Sequence, residues 1–416
     1  MPSQAGDDAQ AGGRPLRVGV VGLGRAFTVM LPTFTQDVRV KLVAAADPIE
    51  AARTQFTRDF EAPAYADAEA LCADARVEAV YVASPHQFHA EHVCLAASYG
   101  KHVLVEKPMA LTLDECSRMI DAASKAKVHL VVGHSHSFDA PIARTRQLIA
   151  SGSYGDVRMI TALNFTDFLY RPRRPEELNT AAGGGVIHSQ ATHQIDIVRL
   201  LGGGLVRNVR AHTGQWDEER PTEGAYSALL EFESGAFASA TYSGYGRYDS
   251  DALMDHIGEM GQKKNPHEYG AARKRLVEAA KAADAPGEAA LKAARNYGGS
   301  LYAAGPEPNA DLAHQHFGHI VVCCDKADLR PTAHGVEIYA DEARSFDALP
   351  SPVIVRREVI DEWLHAVRSD VPPVHGGEWA RATTEVCLSI LESAQSRSAV
   401  PMRMQEPTRD TELVRE

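Results

Sequence analysis

Two short motifs carry side chains able to do chemistry. The first is Glu106-Lys107-Pro108, which closes the apolar run His102-Val103-Leu104-Val105. The second runs from Gly183-Gly184-Gly185 through His188, Ser189 and His193 to Asp196. A lysine at the carboxyl end of a strand, beside a nicotinamide, polarises or deprotonates a substrate hydroxyl as hydride leaves its carbon. A histidine is the natural acid/base partner in an alcohol–carbonyl interconversion, because its ordinary pKa lies near neutrality. On a helix running through Leu201, Ser189, His193 and Asp196 are spaced by four and three residues and share one face. We expect that face to point into a cleft. The glycines read as a flexible lead-in, and His188 as a core or rim position.

Such a lysine needs a cofactor, and a glycine turn supplies the signal for one. Val20-Val21-Gly22-Leu23-Gly24 lies between a strand and a helix pattern. Glycine allows the tight turn and close approach to pyrophosphate, while the helix N-terminus offers amide donors. The third position of the fingerprint is Phe27, so helix and strand must pack further apart there. Asp47 closes the second strand, where a carboxylate binds both adenine-ribose hydroxyls and repels a 2′-phosphate. No arginine follows at once (Arg53 is six residues on), so NAD is expected rather than NADP. Ser84-Pro85 ends a later strand and could shape the nicotinamide pocket. His86, His89 and His92 recur every three residues. No carboxylate or cysteine completes a ligand set, so no metal is expected.

These residues need a parallel sheet to position them. Apolar runs at 17–21, 40–46, 79–83, 102–105 and 128–133 alternate with helical stretches at 48–60, 88–98 and 113–127, as in a sheet buried on both faces. A helix at 140–151 leads to strand candidates at 157–166, 206–213, 226–233 and 236–242. The turn Ser234-Gly235 joins the last two, so this half reads as a largely antiparallel sheet. Strands at 320–324 and 335–339 and helices at 359–367 and 380–396 follow. Residues 254–312, rich in Ala, Lys, Glu and Gly, read as an inserted helical excursion. The expected boundaries are a tail at 1–15, a dinucleotide domain at 16–137, an α+β substrate and oligomerisation domain at 138–405, and a tail at 406–416.

Composition narrows the function classes. The chain has 416 residues, 44% hydrophobic and 24% charged, with a net charge of −12. That length suits two domains, and the charge disfavours nucleic acid. No apolar run is long enough to span a membrane. The start of the chain lacks a signal peptide's apolar core. The six cysteines show no C-x-x-C spacing. They read as reduced thiols in a cytoplasmic protein.

The combination of Gly22-x-Gly24, Asp47, Ser84-Pro85-x-x-x-His89, Glu106-Lys107-Pro108 and Gly-Gly-Gly…His193-x-x-Asp196 resembles the Gfo/Idh/MocA oxidoreductases, the glucose-fructose oxidoreductase and inositol dehydrogenase group. The resemblance covers about residues 16–250 and, more loosely, 320–405. It implies an α/β architecture: a doubly wound Rossmann sheet followed by an α+β domain with a large, mainly antiparallel open sheet. That sheet would pair subunits into a homodimer or homotetramer. It also implies NAD(P)-dependent oxidation of a ring or sugar hydroxyl, with Lys107 and His193 catalytic. Cofactor contacts are expected from Gly22, Gly24, Arg25, Ala26, Asp47, Ser84, Pro85, His89, Glu106 and Lys107. One departure stands out: sugar- and inositol-oxidising members carry an aspartate where this chain has Ser189. A serine cannot act as a carboxylate base, so a polyol substrate is disfavoured.

Between the first strand of the second half and the glycines lies Phe168-Leu169-Tyr170-Arg171-Pro172-Arg173-Arg174-Pro175. Arginines fork onto carboxylates and aromatics suit a flat ring. This loop, Ser189 and the long insertion are similar to the bacterial 4,5-dihydroxyphthalate dehydrogenase branch. The resemblance implies a cis-dihydrodiol bearing carboxylates, rearomatised as it is oxidised. Lys107, Arg171, Arg173, Arg174, Ser189, His193 and Asp196 are the expected substrate contacts. The competing readings are a sugar or inositol dehydrogenase and a non-catalytic NAD-sensing regulator.

Overall fold

In the computed structural model, residues 13–268, 270–281, 287–302 and 312–409 are described. The ends of the two expected tails and parts of the expected insertion lie outside them. Short runs rich in Val, Leu and Ala build the first sheet. Its strands are β1 (Leu16–Val21), β2 (Val40–Ala46), β3 (Ala64–Tyr65), β4 (Ala79–Val82), β5 (His102–Val105) and β6 (Leu130–Val132). They are parallel, in the order β3-β2-β1-β4-β5-β6. Both faces are covered by helices α1 (Arg25–Gln36), α2 (Glu50–Phe60), α3 (Ala68–Cys72), α4 (His89–Ser98) and α5 (Leu113–Ala126). Thr112 starts α5 in a capping box with Glu115. The order reverses between β1 and β4, and ligands of such sheets bind at the strand ends beside that point.

After α6 (Ala140–Ala150) come β7 (Val157–Phe165), helix α7 (Thr192–Gly202), then β8 (Val206–Gly214), β9 (Ala225–Phe232) and β10 (Phe237–Ser243). Helices α8 (Ala271–Ala280) and α9 (Glu288–Ala293) fall within the segment read as an insertion. The chain then adds β11 (His319–Cys324), β12 (Ala327–Thr332), β13 (Gly335–Ala340) and β14 (Arg344–Ala348). It closes with α10 (Arg357–Ser369), α11 (Gly377–Ser396) and β15 (Val400–Pro401). The nine-stranded sheet is ordered β14-β13-β12-β11-β7-β10-β9-β8-β15. Its pairs are antiparallel except β7 with β10.

Strand β12 (ADLRPT) alternates apolar with polar residues, whereas β14 (RSFDA) does not, and its pairing with β13 holds it in the sheet. Pro331 of β12 sits beyond the pairing with β11, which stops at Val322–Leu329, so it removes no ladder bond there. One face of the sheet is buried under α7 and α11, while Leu229 and Phe237 on β9 and β10 remain over 40% exposed on the other.

Three long-range connections fix the two halves against each other. Helix α10 returns to the first sheet, burying Val359, Ile360 and Trp363 in its core. Helix α11 gives Val386 and Ile390 to the core of the second sheet and Ala380 to the first. Beyond α9, Tyr297 sets its ring edge-on to Phe27 at 5.1 Å. Its amide donates to Thr28 Oγ1 at 3.0 Å. A stretch expected to be an excursion is thereby docked onto α1. Among the described residues no helix is long and apolar enough to cross a membrane.

Candidate active site

The glycine turn follows β1. Gly22 has φ +94°, and a Cβ there would lie 2.7 Å from the Ser84 amide nitrogen at the end of β4. Only glycine lets these two strand ends touch. A Cβ on Gly24 would meet nothing within 4 Å. Gly24 caps α1 without a side-chain hydrogen bond, and the first turn holds no acidic residue. The amides of Arg25 and Ala26 therefore head a helix with open space before it, a fit for a pyrophosphate. Asp47 is locked across the turn by the amides of Leu23 (2.7 Å) and Ile49 (2.8 Å). Each oxygen keeps a free lone pair for a ribose hydroxyl. Arg53 donates to the backbone oxygens of Asp47 and Pro48, both at 2.8 Å. A cation thus stands at the ribose corner although it is six residues away in sequence.

Lys107 leaves the end of β5. Its neighbour Glu106 is buried and accepts the Tyr81 hydroxyl at 2.6 Å, and burial raises its pKa. The Lys107 ammonium donates to the backbone oxygen of Ser189 at 2.9 Å. Burial lowers its pKa to about 8, against the partial support of Glu106. The two motifs read from the sequence therefore meet directly, across 82 residues.

The acceptor is available because of the local helix geometry. Residues Ile187–Ala191 form a π turn leading into α7, and such turns recur at functional sites. Ser189 O receives Lys107 and the Gln190 side-chain amide (3.0 Å), and Ser189 Oγ donates to Gly185 O. The three glycines are not a flexible lead-in. A Cβ on Gly185, at φ +79°, would overlap the Glu223 carboxylate, and one on Gly183 would overlap Leu111. Glu223 in turn accepts the Ile187 amide at 3.1 Å, so the turn is clamped.

His193 is 8% exposed, packed against His136 (ring centroids 4.8 Å apart) and Phe317 (5.0 Å). Its Nδ1 is buried and without a partner. Burial, then Lys107, His136, His134 and Arg356, depress its pKa well below the usual value, so the ring is neutral. His188 is buried and held at about 4 by burial.

Several expected contacts are corrected. Asp196 does not reach a cleft with His193: it is 4% exposed, and Trp379 Nε1 and Thr383 Oγ1 donate to one oxygen at 2.7 Å. Ser137 Oγ donates to the other oxygen, so Asp196 anchors α7 to α11. The π turn breaks the assumed α-helical spacing between Ser189 and His193, while His193 and Asp196 both lie on α7. His89 is fully buried, its ring nitrogens 2.9 Å from the carbonyls of Ser84 and Pro108. Burial keeps that ring neutral, at about 4, and it supports the Ser84-Pro85 turn rather than facing a ligand. Arg174 pairs with Glu176 (3.1 Å) and Glu177 (3.4 Å). Arg173 lies over the Phe168 ring at 3.6 Å, and Arg171 pairs weakly with Asp167 (3.4 Å) and Glu259 (3.8 Å).

Residues outside the expected set also surround Lys107 and His193. His136 Nδ1 lies 2.6 Å from Asp139 Oδ2, and His134 Nε2 lies 3.1 Å from Oδ1. The dense run Gly133–Asp139 at the end of β6 was a readable signal for this cluster, since ligands gather at strand ends. Gln315, Phe317 and Arg356 carried none, because only the sheet and α10 bring them here. Among the described residues no group of three or more His, Cys, Asp or Glu is placed to hold a metal.

Known proteins match this arrangement. Residues 16–134 match the oxidoreductase family with NAD-binding Rossmann fold, and residues 142–262 match the GFO/IDH/MocA C-terminal domain. A 1-carboxy-3-chloro-3,4-dihydroxycyclohexa-1,5-diene dehydrogenase of Comamonas testosteroni is 49% identical over 381 residues, covering 91% of this chain and 95% of that one. A myo-inositol 2-dehydrogenase of Thermotoga maritima is 28% identical, covering 59% of this chain and 74% of that one. Among solved structures, a candidate dehydrogenase from Bordetella bronchiseptica RB50 superposes with a TM-score of 0.86 at 40% identity, covering 93% of this chain and all of that one.

Proposed function

The chain belongs to the GFO/IDH/MocA oxidoreductases, and from that premise we propose that it oxidises a carboxylated cyclic cis-dihydrodiol to the dihydroxy aromatic acid, with NAD as cofactor. One observation carries the reading: Lys107 is seated on the backbone oxygen of Ser189, the position at which the family resemblance implies an aspartate in sugar- and inositol-oxidising members. The relative at 49% identity, whose name specifies a carboxylated dihydroxycyclohexadiene, supports the same substrate class.

Gly22, Gly24, Arg25 and Ala26 would hold the pyrophosphate, Asp47 the adenine ribose, and Ser84 and Pro85 the nicotinamide side. When bound, NAD supplies the hydride acceptor. Lys107, at about 8, is the group matched to taking the hydroxyl proton near neutral pH. His193, depressed well below neutrality, is a weak base, and it orients the hydroxyl as a neutral hydrogen-bonding ring. Glu106 is fixed by Tyr81 and steadies Lys107 from behind. Loss of the hydroxyl proton and of hydride from the same carbon leaves a ketone, whose enolisation restores the aromatic ring. Asp47 favours NAD, while Arg53 beside it limits how strongly a 2′-phosphate is rejected.

The open face of the nine-stranded sheet, with Leu229 and Phe237 exposed, would pair two or four copies. Light scattering on the eluting protein should give a dimer or tetramer mass.

The deciding experiment follows NADH absorbance with a carboxylated cis-dihydrodiol, a neutral one, inositol and glucose, with NAD and NADP compared. The carboxylated dihydrodiol should exceed inositol in kcat/KM by ~100-fold or more, as unmet polar contacts discriminate. Preference for inositol or glucose would overturn the proposal, and NADH formed from any of these excludes a purely regulatory protein.

A further inference from the structure

The Arg-Pro-Arg-Arg loop is the obvious place for a carboxylate receptor, yet each of its arginines already faces a carboxylate, even though Glu177 is shared with Lys292 and Arg173 Nε is buried without a partner. Arg171 faces Asp167 and Glu259, Arg173 faces Glu177 at 3.9 Å, and Arg174 faces Glu176 and Glu177. Arg356 differs. It precedes α10 in the left-handed conformation, φ 59°, and among the described residues no carboxylate lies within ion-pair distance of it, although Glu106 and Asp139 act on it from farther off. Its Nε donates to Gln315 Oε1 at 3.1 Å, and Nη2 touches only Met260 Sδ at 3.6 Å.

Gln315 is 6% exposed, and its Nε2 is buried without a partner. The guanidinium fixes which way the amide faces, because an arginine offers only donors. Its nitrogen is thus left as an unmatched donor. Unmatched buried donors are costly, so a ligand acceptor is the natural complement. Phe317, two residues on, packs against both His193 and His136, so this segment walls the chamber of His193. The charge of Arg356 also helps depress Lys107 and His193.

We propose that Arg356 and Gln315 together receive a carboxylate of the substrate. One oxygen accepts from the guanidinium and the other from the Gln315 amide. Arg171 and Arg173 then shape the chamber without supplying its main counter-charge. This assignment rests on the proposed substrate class, but it can fail separately.

The test is a fluorescence titration of the full-length protein's NADH complex with 3,4-dihydroxybenzoate and with catechol, alongside turnover of the dihydrodiols. Wild type should bind the carboxylated ring 10-fold or more tightly, the worth of a charged hydrogen bond. Arg356→Gln should erase that preference with NADH affinity unchanged. Gln315→Glu, which gives Arg356 an internal carboxylate, should erase or invert it and serves if the first variant folds poorly. A wild type without preference, or a preference that survives both changes, would overturn the receptor. Loss of NADH binding in Arg356→Gln would overturn it too, by assigning the arginine to the cofactor's phosphates. Turnover of a sugar or inositol in preference to dihydrodiols would instead sink the substrate class.

Discussion

The proposed cofactor turn and the proposed substrate chamber lie side by side but are assembled differently. The turn is made by neighbouring strand ends: Gly22 after β1, Asp47 after β2, and Ser84 after β4. Its contacts are largely backbone, such as the Leu23 amide on Asp47 at 2.7 Å. The chamber gathers Lys107 from β5, His193 from α7, Gln315 and Phe317 from the approach to β11, and Arg356 from the start of α10. Apart from the Ser189 backbone oxygen under Lys107, its contacts are side chains in a buried space where desolvation lowers the pKa of Lys107 and His193. Damage to the turn should therefore weaken cofactor binding, and damage to the chamber should slow turnover.

The largest effect is expected from Lys107→Ala. It should lower kcat by about 10²- to 10⁴-fold, the range for a positioned acid or base. NADH affinity by fluorescence should stay within a few-fold, and a parallel loss would break the division. Asp47→Ala is the counterpart on the other side. Removing a charged acceptor should raise KM for NAD by ~10- to 100-fold, with kcat nearly unchanged and NADP discrimination reduced. A large fall in kcat would place Asp47 in the chemistry. His193→Asn should cost about 10-fold in kcat, near the worth of one neutral hydrogen bond. A loss as large as that of Lys107→Ala would show that His193 is the base after all.

Acidity gives the mildest perturbation. Burial holds Lys107 at about 8, below its ordinary 10.5. Below about 8 the amine is protonated and cannot take another proton. So kcat/KM for oxidation should rise about tenfold per pH unit and level off above that value. A limb near 10.5 would mean the chamber admits water enough to solvate the ammonium.

The legible parts of this site were the local ones. Gly22, Gly24, Asp47, Lys107 and His193 announced themselves because each sits at a strand end or in a dense motif. The same pattern misled at Asp196, where three donors from elsewhere claimed the carboxylate although its α-helical spacing from His193 held. It misled again at the three glycines, which looked flexible and are clamped by Glu223 and Leu111. Strand β14 lacked alternation, and its pairing with β13 rather than its own side chains holds it in place.

The sequence by itself determined a parallel dinucleotide sheet, a mainly antiparallel second sheet and the two motifs to which the proposed reacting groups belong. Those follow from short-range rules: apolar periodicity, glycine conformation and the position of polar residues at strand ends. Tertiary structure alone decided that Lys107 meets Ser189, that His193 is dry enough to stay neutral, and that Arg356 stands unpaired beside Gln315. Burial and long-range packing control those properties. Residues separated by up to 249 positions can reveal them only once the chain has closed.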